Sequence, residues 1–284
     1  MKLAAVQMDV KIGDKARNLR VALEKLVQAH RAGASLVIYP ECALTGYCFN
    51  SREEAWPFAE TIPGPSTEKA VIAAREFNCT LVLGMLEREG NELYNAAAVI
   101  TPQGVAGSYR KMHLLHLGVD RHDSPSNKPF SVFETPAGKI GVNICFDCSF
   151  PESGRVLKLQ GAQILAIPTN WPLASDSWSH TPPVRAVENH LYVVAADRVG
   201  EERGYHFAGR SQIVDPEGKM LALAGETEET VLVADADPAV ADRNRVVRVP
   251  GEYEFDRMAA RRPEMYGAIT AQPMAASKAS ASDK

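Results

Sequence analysis

Cysteine is scarce in this chain, basic residues are outnumbered, and no apolar run is long. Five cysteines in 284 residues is an odd and small number. A full disulfide framework is therefore not expected, and reduced thiols in a cytosol are the better reading. Lys and Arg total 31 against 35 Asp and Glu, a formal net charge of -4. Without a basic excess or a basic run, the chain is a poor candidate for binding nucleic acid or an anionic membrane. No apolar stretch approaches the ~18 residues of a membrane span. Near the N-terminus Asp9 interrupts before a secretory apolar core can form, so no signal peptide is expected. Gly (20) and Pro (18) are neither abundant nor periodic, which excludes a collagen-like or low-complexity chain. What remains is ordinary globular composition, 45% apolar and 23% charged, long enough to bury a large core without staples.

The apolar pattern alternates between two periods. Lys2 to Val10 reads as a strand, and Asp14 caps a helix carrying Leu19, Leu23 and Leu26 at helical spacing. Leu36-Val37-Ile38-Tyr39 is a continuous apolar run, as in a strand buried on both faces. Pro63-Gly64-Pro65 breaks the chain, and Ser66 or Thr67 is expected to cap the next helix. Strands follow at Leu81-Val82-Leu83 and, as a hairpin about Pro102-Gln103-Gly104, between Tyr94 and Tyr109. The second half repeats the scheme: strand Ile140 to Ile144, helix Glu152 to Gln160, strand Ile164 to Ile167, helix Val184 to His190, and strand Tyr192 to Ala196. A hairpin turning at Asp215-Pro216-Glu217-Gly218 completes it. Two sheets with helices outside, packed as one α-β-β-α domain over residues 1–270, is the expected architecture. Ala271 to Lys284, rich in Ala, Ser and Lys, is expected to be a flexible tail.

Three polar residues stand at the ends of apolar strands: Glu41, Lys111 and Cys145. Such ends are where α/β folds keep their ligands. A thiol can attack a carbonyl, a carboxylate can carry its proton, and an ammonium can hold the charge developing on oxygen. Each alone has a plainer reading as core thiol, solvated acid or surface base. Spacing does not by itself bring them together.

The surrounding segments resemble a known family. Tyr39-Pro40-Glu41-Cys42-Ala43-Leu44-Thr45-Gly46-Tyr47, Tyr109-Arg110-Lys111-Met112-His113-Leu114 and Gly141-Val142-Asn143-Ile144-Cys145-Phe146-Asp147 resemble the three signature segments of the nitrilase superfamily, the carbon–nitrogen hydrolases. Phe150-Pro151-Glu152 with Arg155, Pro168 to Pro172, Arg185 to Asn189 and Gly209 to Gly218 fit later landmarks, so the likeness spans roughly residues 1–236. The resemblance implies an α-β-β-α sandwich and a Glu-Lys-Cys triad: Glu41 as general base, Lys111 as stabiliser of the tetrahedral intermediate, Cys145 as nucleophile. It also implies the Phe146 backbone N–H as second oxyanion donor, Asn170 and Trp171 on the substrate side, and no metal or organic cofactor.

The family's second glutamate, in the loop after its lysine, has no exact counterpart. Asp120 is the nearest match, one methylene shorter, and Asp123 is the other candidate. His113 and His116 are two imidazoles only, fewer than a catalytic zinc requires. Cys145 and Cys148 form a CxxC that, with Cys42 and Cys48, is a weak rival reading as a zinc or redox site; Cys42, Cys48, Cys79 and Cys148 are expected to be packing thiols. Cys145-Phe146-Asp147 looks like the amidase and carbamoylase side of the family rather than the Cys-Trp-Glu of nitrile hydrolysers. Carbamoylases and ω-amidases tend to carry an Arg a few residues later. Here those positions hold Cys148, Ser149 and Phe150, although Arg155, Arg185 or Arg198 could reach in. Phe146, Trp171 and Trp178 suggest an apolar acyl pocket. The expectation is a cytoplasmic homodimer or larger homo-oligomer that cleaves a small neutral carboxamide. The alternatives are an N-carbamoyl amine or amino-acid amidohydrolase, then a nitrilase, and, outside enzymes, a catalytically silent binding subunit of the same fold.

Overall fold

A computed structural model describes residues 1–271. Residues 272–284, which include nearly all of the expected tail, lie outside it. Residues Met1–Arg243 form one compact unit built on two sheets. In the first, β1 (Lys2–Asp9), β2 (Leu36–Ile38) and β3 (Thr80–Glu89) are parallel neighbours. β4 (Glu92–Thr101) and β5 (Gly104–Arg110) continue it antiparallel. In the second, β6 (Val132–Thr135), β7 (Gly138–Val142), β8 (Ile164–Pro168) and β9 (Tyr192–Ala196) lie in that order. Within it β7, β8 and β9 are parallel.

Short strands complete the edges. β10 (Arg198–Val199) joins β1, β11 (Glu201–Glu202) and β12 (Tyr205–His206) pair with each other, and β13 (Gln212–Val214) joins β9. β14 (Met220–Leu223) pairs with β13, and β15 (Thr230–Asp235) runs antiparallel to β1.

The parallel strands read as unbroken apolar runs because both of their faces are covered. Between the sheets Leu3, Leu36, Ile38 and Val82 meet Ile140, Val142, Leu165 and Val194 in one buried cluster. Outside the first sheet lie α1 (Lys15–Arg31) and, after the short α2 (Arg52–Ala55), α3 (Pro65–Phe77); their apolar faces share a second cluster with the outer face of that sheet. Outside the second sheet lie α4 (Pro151–Leu159) and α5 (Thr181–Asn189), while α6 (Ala239–Asp242) is a single turn near the end of the unit. The α-β-β-α order expected from the sequence is therefore the order found. Among the described residues no helix is long and apolar enough to cross a membrane.

One local expectation is corrected. The helix after Pro63-Gly64-Pro65 is capped by neither Ser66 nor Thr67. Pro65 takes the first helical position and Gly64 the cap, so Thr67 lies inside the first turn, where its hydroxyl accepts from Gly64 N at 2.8 Å. Proline's fixed φ and missing N–H suit that first position. From Asn244 a second, small unit follows, within which β16 (Arg245–Val249) and β17 (Tyr253–Asp256) pair with each other.

Candidate active site

Each of the three strand-end residues is placed by backbone that continues a ladder. Beyond β2, Tyr39 N still donates to Val82 O (2.9 Å), and Glu41 N reaches across to Thr169 O (3.4 Å) in the other sheet. Glu41 thus stands where the sheets meet. The close passage of this segment over β3 requires Gly84, since a Cβ there would lie 2.1 Å from Pro40 O and 2.9 Å from Glu41 Cα. Beyond β5, Lys111 N donates to Asn95 O at 2.8 Å and sets the lysine beside β4. Past β7, Cys145 opens a 3-10 turn (Cys145–Ser149) with φ 47°. Positive φ is unfavourable for a residue with a Cβ and is held only where surrounding contacts enforce it.

Those contacts come from Asp147. Its carboxylate accepts from Tyr109 OH (2.7 Å), Ile144 N (3.0 Å) and His113 N (2.9 Å), and His113 Nδ1 lies 2.7 Å away. His113 is also stacked on Phe150 at 3.8 Å. From the other side Arg185 Nε donates to Cys148 O (2.6 Å) and Nη2 to Ser149 O (3.3 Å). The nucleophile's turn is therefore clamped by an acid beneath it and a base behind it. His113 serves this scaffold, and no group of three or more His, Cys, Asp or Glu among the described residues is arranged to hold a metal.

Glu41, Lys111 and Asp120 converge completely. Lys111 Nζ donates to Glu41 Oε1 (2.7 Å) and Asp120 Oδ2 (2.6 Å), and all three side chains are cut off from solvent. Asp120 also accepts from Tyr47 OH (3.1 Å) and Leu115 N (3.2 Å). The one-methylene shortfall of Asp120 is made good by its turn, which Gly118 (φ 52°) brings against Tyr47; a Cβ at Gly118 would sit 2.6 Å from that ring. Asp123 makes no such pair. Both its oxygens are buried without a hydrogen bond, and burial, then the charge of Asp120, pushes its carboxyl well above the usual range.

Sequence reading overlooked Asn95. Its Nδ2 donates to Glu41 Oε1 (2.6 Å) and to Asp120 Oδ1 (2.9 Å). A lone asparagine inside the apolar strand Leu93 to Ile100 was the available signal. Tyr47, Tyr109 and Asp147 were missed as well, although Tyr47, Tyr109 and Asp147 stand inside the signature segments.

The cluster has two acids and one base in a dry setting. Burial raises the Glu41 carboxyl above its ordinary value; Lys111 opposes this and Asp120 adds to it. Burial works against the Lys111 ammonium, but Asp120 and Glu41 outweigh it and keep the lysine charged. Cys145 is raised well above an ordinary thiol by burial first and Glu41 second. Lys111, the Thr169 hydroxyl and the Asn170 backbone N–H pull the other way. The surroundings thus favour the thiol form of Cys145, near a carboxyl whose proton affinity is also raised.

Cys145 opens onto a cavity of about 240 Å³ lined by Leu115, Phe146, Ser149, Trp171, Pro172, Ser175 and Ser177. None of these carries a charge. The three arginines that could have reached in do not line it. Arg155 donates to Glu188 O (2.7 Å), Arg185 holds the nucleophile turn, and Arg198 pairs with Glu202 (2.8 Å) and donates to Val10 O (2.6 Å). Trp171 forms a wall and stacks on buried Trp178 at 5.1 Å. Asn170 is buried with both amide atoms unpartnered, one residue from the lining. All five cysteines are free and buried.

A family model described as "Carbon-nitrogen hydrolase" matches residues 2–245. The chain belongs to the carbon–nitrogen hydrolases of the nitrilase superfamily. This carbon–nitrogen hydrolase is 41% identical to a protein of Pyrococcus abyssi named "Nitrilase", over 87% of this chain and 93% of that one. It is 36% identical to "Omega-amidase NIT2" of Xenopus tropicalis, over 78% and 84% of the two chains. Among solved structures it resembles Nit3 of Saccharomyces cerevisiae, a member of branch 10 of the superfamily (TM-score 0.77, 28% identity, 89% and 95% covered). It also resembles a glutamate-to-glutamine mutant of the amidase from Nesterenkonia sp. AN1 (TM-score 0.78, 25% identity, 94% and 96% covered), solved with the acetamide moiety of fluoroacetamide on its active-site cysteine.

Proposed function

We propose that this carbon–nitrogen hydrolase is an amidase that cleaves a small, uncharged primary carboxamide to the carboxylic acid and ammonia through a thioester on Cys145. The observation that carries the reading is the cavity over Cys145, whose described lining residues carry no charge, beside a buried Glu41 whose Oε2 has no hydrogen-bond partner. A substrate carboxylate would find no counter-ion among those residues, and burying an unpaired charge is prohibitive.

Glu41 takes the thiol proton as sulfur attacks the carbonyl carbon. Lys111 and the Phe146 backbone N–H hold the resulting oxyanion. Asp120, by sharing Lys111, keeps the ammonium charged and aimed. The proton on Glu41 passes to the amide nitrogen, the C–N bond breaks, and ammonia leaves. Water then attacks the thioester while Glu41 accepts its proton; the C–S bond breaks and sulfur recovers that proton. No step calls for a metal or organic cofactor. Five buried free thiols suit a reducing cytoplasm, and we expect a homodimer or larger homo-oligomer, which light scattering would test.

The deciding experiment compares kcat/KM on an amide and a nitrile bearing the same acyl group, with Cys145→Ala as the blank. The amide should win and the blank should be inactive. The relative named as a nitrilase makes the opposite ratio the alternative of interest, and a nitrile preference would replace the amidase reading.

A further inference from the structure

Asn95 is the neutral member of a cluster otherwise made of charges. Its amide group has only one orientation that satisfies its neighbours. Two carboxylates can only accept, so Nδ2 must face Glu41 and Asp120. The carbonyl Oδ1 is thereby turned to Cys42, whose Sγ lies 3.6 Å away as donor. A thiolate could not donate, and burial together with the charges of Glu41, Asp123 and Asp120 keeps Cys42 protonated. Cys42 is held at this spot by backbone: it sits at φ 48°, and Thr45 N (3.0 Å) and Gly46 N (2.9 Å) both donate to its carbonyl.

The consequence falls on Glu41. Both of its donors, Lys111 Nζ and Asn95 Nδ2, land on Oε1, and Oε2 is left buried with none. A carboxylate with one saturated oxygen and one bare oxygen takes its proton on the bare one.

We propose that Asn95, oriented by the Cys42 thiol, is a positioning residue that dictates which oxygen of Glu41 carries the proton and how tightly. The inference rests on Glu41 acting as the base for Cys145, and it extends to a cysteine with no part in the covalent chemistry.

The test reads Cys145 directly, so its outcome is separable from the choice of substrate. The rate of iodoacetamide labelling at the Cys145 peptide, followed by mass spectrometry, is measured against pH for wild type, Asn95→Ala, Cys42→Ala and Cys42→Ser, alongside kcat/KM on the best amide. Loss of the Asn95 donor removes stabilisation of the Glu41 carboxylate. The acid limb of both profiles should therefore move to higher pH, and kcat/KM at neutral pH should fall about 10- to 100-fold, the scale of a hydrogen bond to a charged group. Cys42→Ala should move the limb in the same direction by less, and Cys42→Ser, which restores a donor, should return it toward wild type. A residue of purely structural importance would lower activity at every pH and leave the limb in place. An unmoved acid limb in Asn95→Ala, or equal profiles for Cys42→Ala and Cys42→Ser, would overturn the proposal. If Asn95→Ala does not fold, the Cys42 pair decides alone. Failure of every amide to turn over would sink the amidase reading while leaving the labelling profiles interpretable.

Discussion

Replacing Lys111 by Met should unfold the site's logic in a way that pH exposes. In the wild type Nζ bridges two carboxylates at 2.7 and 2.6 Å, and none of the three side chains touches solvent. Methionine keeps the length and removes the charge. Breaking a buried ion pair by deleting one partner costs about 3–5 kcal/mol, because the remaining charges are stranded. For a chain of this size that corresponds to a fall in Tm of about 6–20 °C. Glu41 already has a raised proton affinity from burial and from Asp120, with Lys111 pulling against both; without Lys111 the affinity rises further. An acid whose folded-state pKa lies above its unfolded value destabilises the fold while ionised. That penalty is full above the folded pKa and shrinks as pH falls toward the ordinary carboxylate range. The Tm deficit of Lys111→Met relative to wild type should therefore be larger at pH 8 than at pH 5. Differential scanning calorimetry at matched ionic strength measures it. The double variant Glu41→Gln/Lys111→Met should recover part of the deficit at pH 8, since one stranded charge has gone. Activity should drop by about 10²–10³ or more in the single variant, as for loss of an oxyanion donor. A deficit that is independent of pH, or that grows on acidification, would refute the argument.

Two further outcomes follow from the same geometry. Asp120→Asn should cut kcat by about 10²-fold, the lower end for disabling an oxyanion donor, whereas Asp123→Asn, at a carboxyl with no partner, should leave steady-state kinetics near wild type; parallel ammonia-release assays distinguish them, and the reverse ranking would make Asp123 the second acid. Asp147→Asn halves the acceptors available to Tyr109, Ile144 and His113, so it should lose about 1–3 kcal/mol in urea denaturation and slow Cys145 labelling as the strained turn relaxes.

Much of the framework was legible from order and period alone. The unbroken apolar runs at Leu36 to Tyr39, Ile140 to Ile144 and Ile164 to Ile167 are strands because both faces are covered, and covered parallel strands alternating with helices leave few arrangements besides the sandwich. The positions of Glu41, Lys111 and Cys145 at strand ends could be read in the same way, since ladder geometry projects the residue after a strand toward the crevice. The pairing of β15 with β1, which joins residues more than two hundred apart in the chain, could not, because register between distant strands is settled by packing and not by local propensity. The choice between Asp120 and Asp123 was equally closed to sequence: both are aspartates in one short loop, and only the approach of Gly118 to Tyr47 decides which carboxylate reaches Lys111. The arginines show the same limit. Arg155, Arg185 and Arg198 each had the charge to clamp a substrate carboxylate, but tertiary contacts commit them to backbone carbonyls and to Glu188 and Glu202. Asn95 shows it most sharply. Its residue type offers a donor and an acceptor and no charge, so its meaning depends wholly on what surrounds it. That surrounding is two buried carboxylates and a thiol, supplied by two stretches of chain, Glu41-Cys42 and the loop of Asp120, that meet Asn95 only in the folded protein.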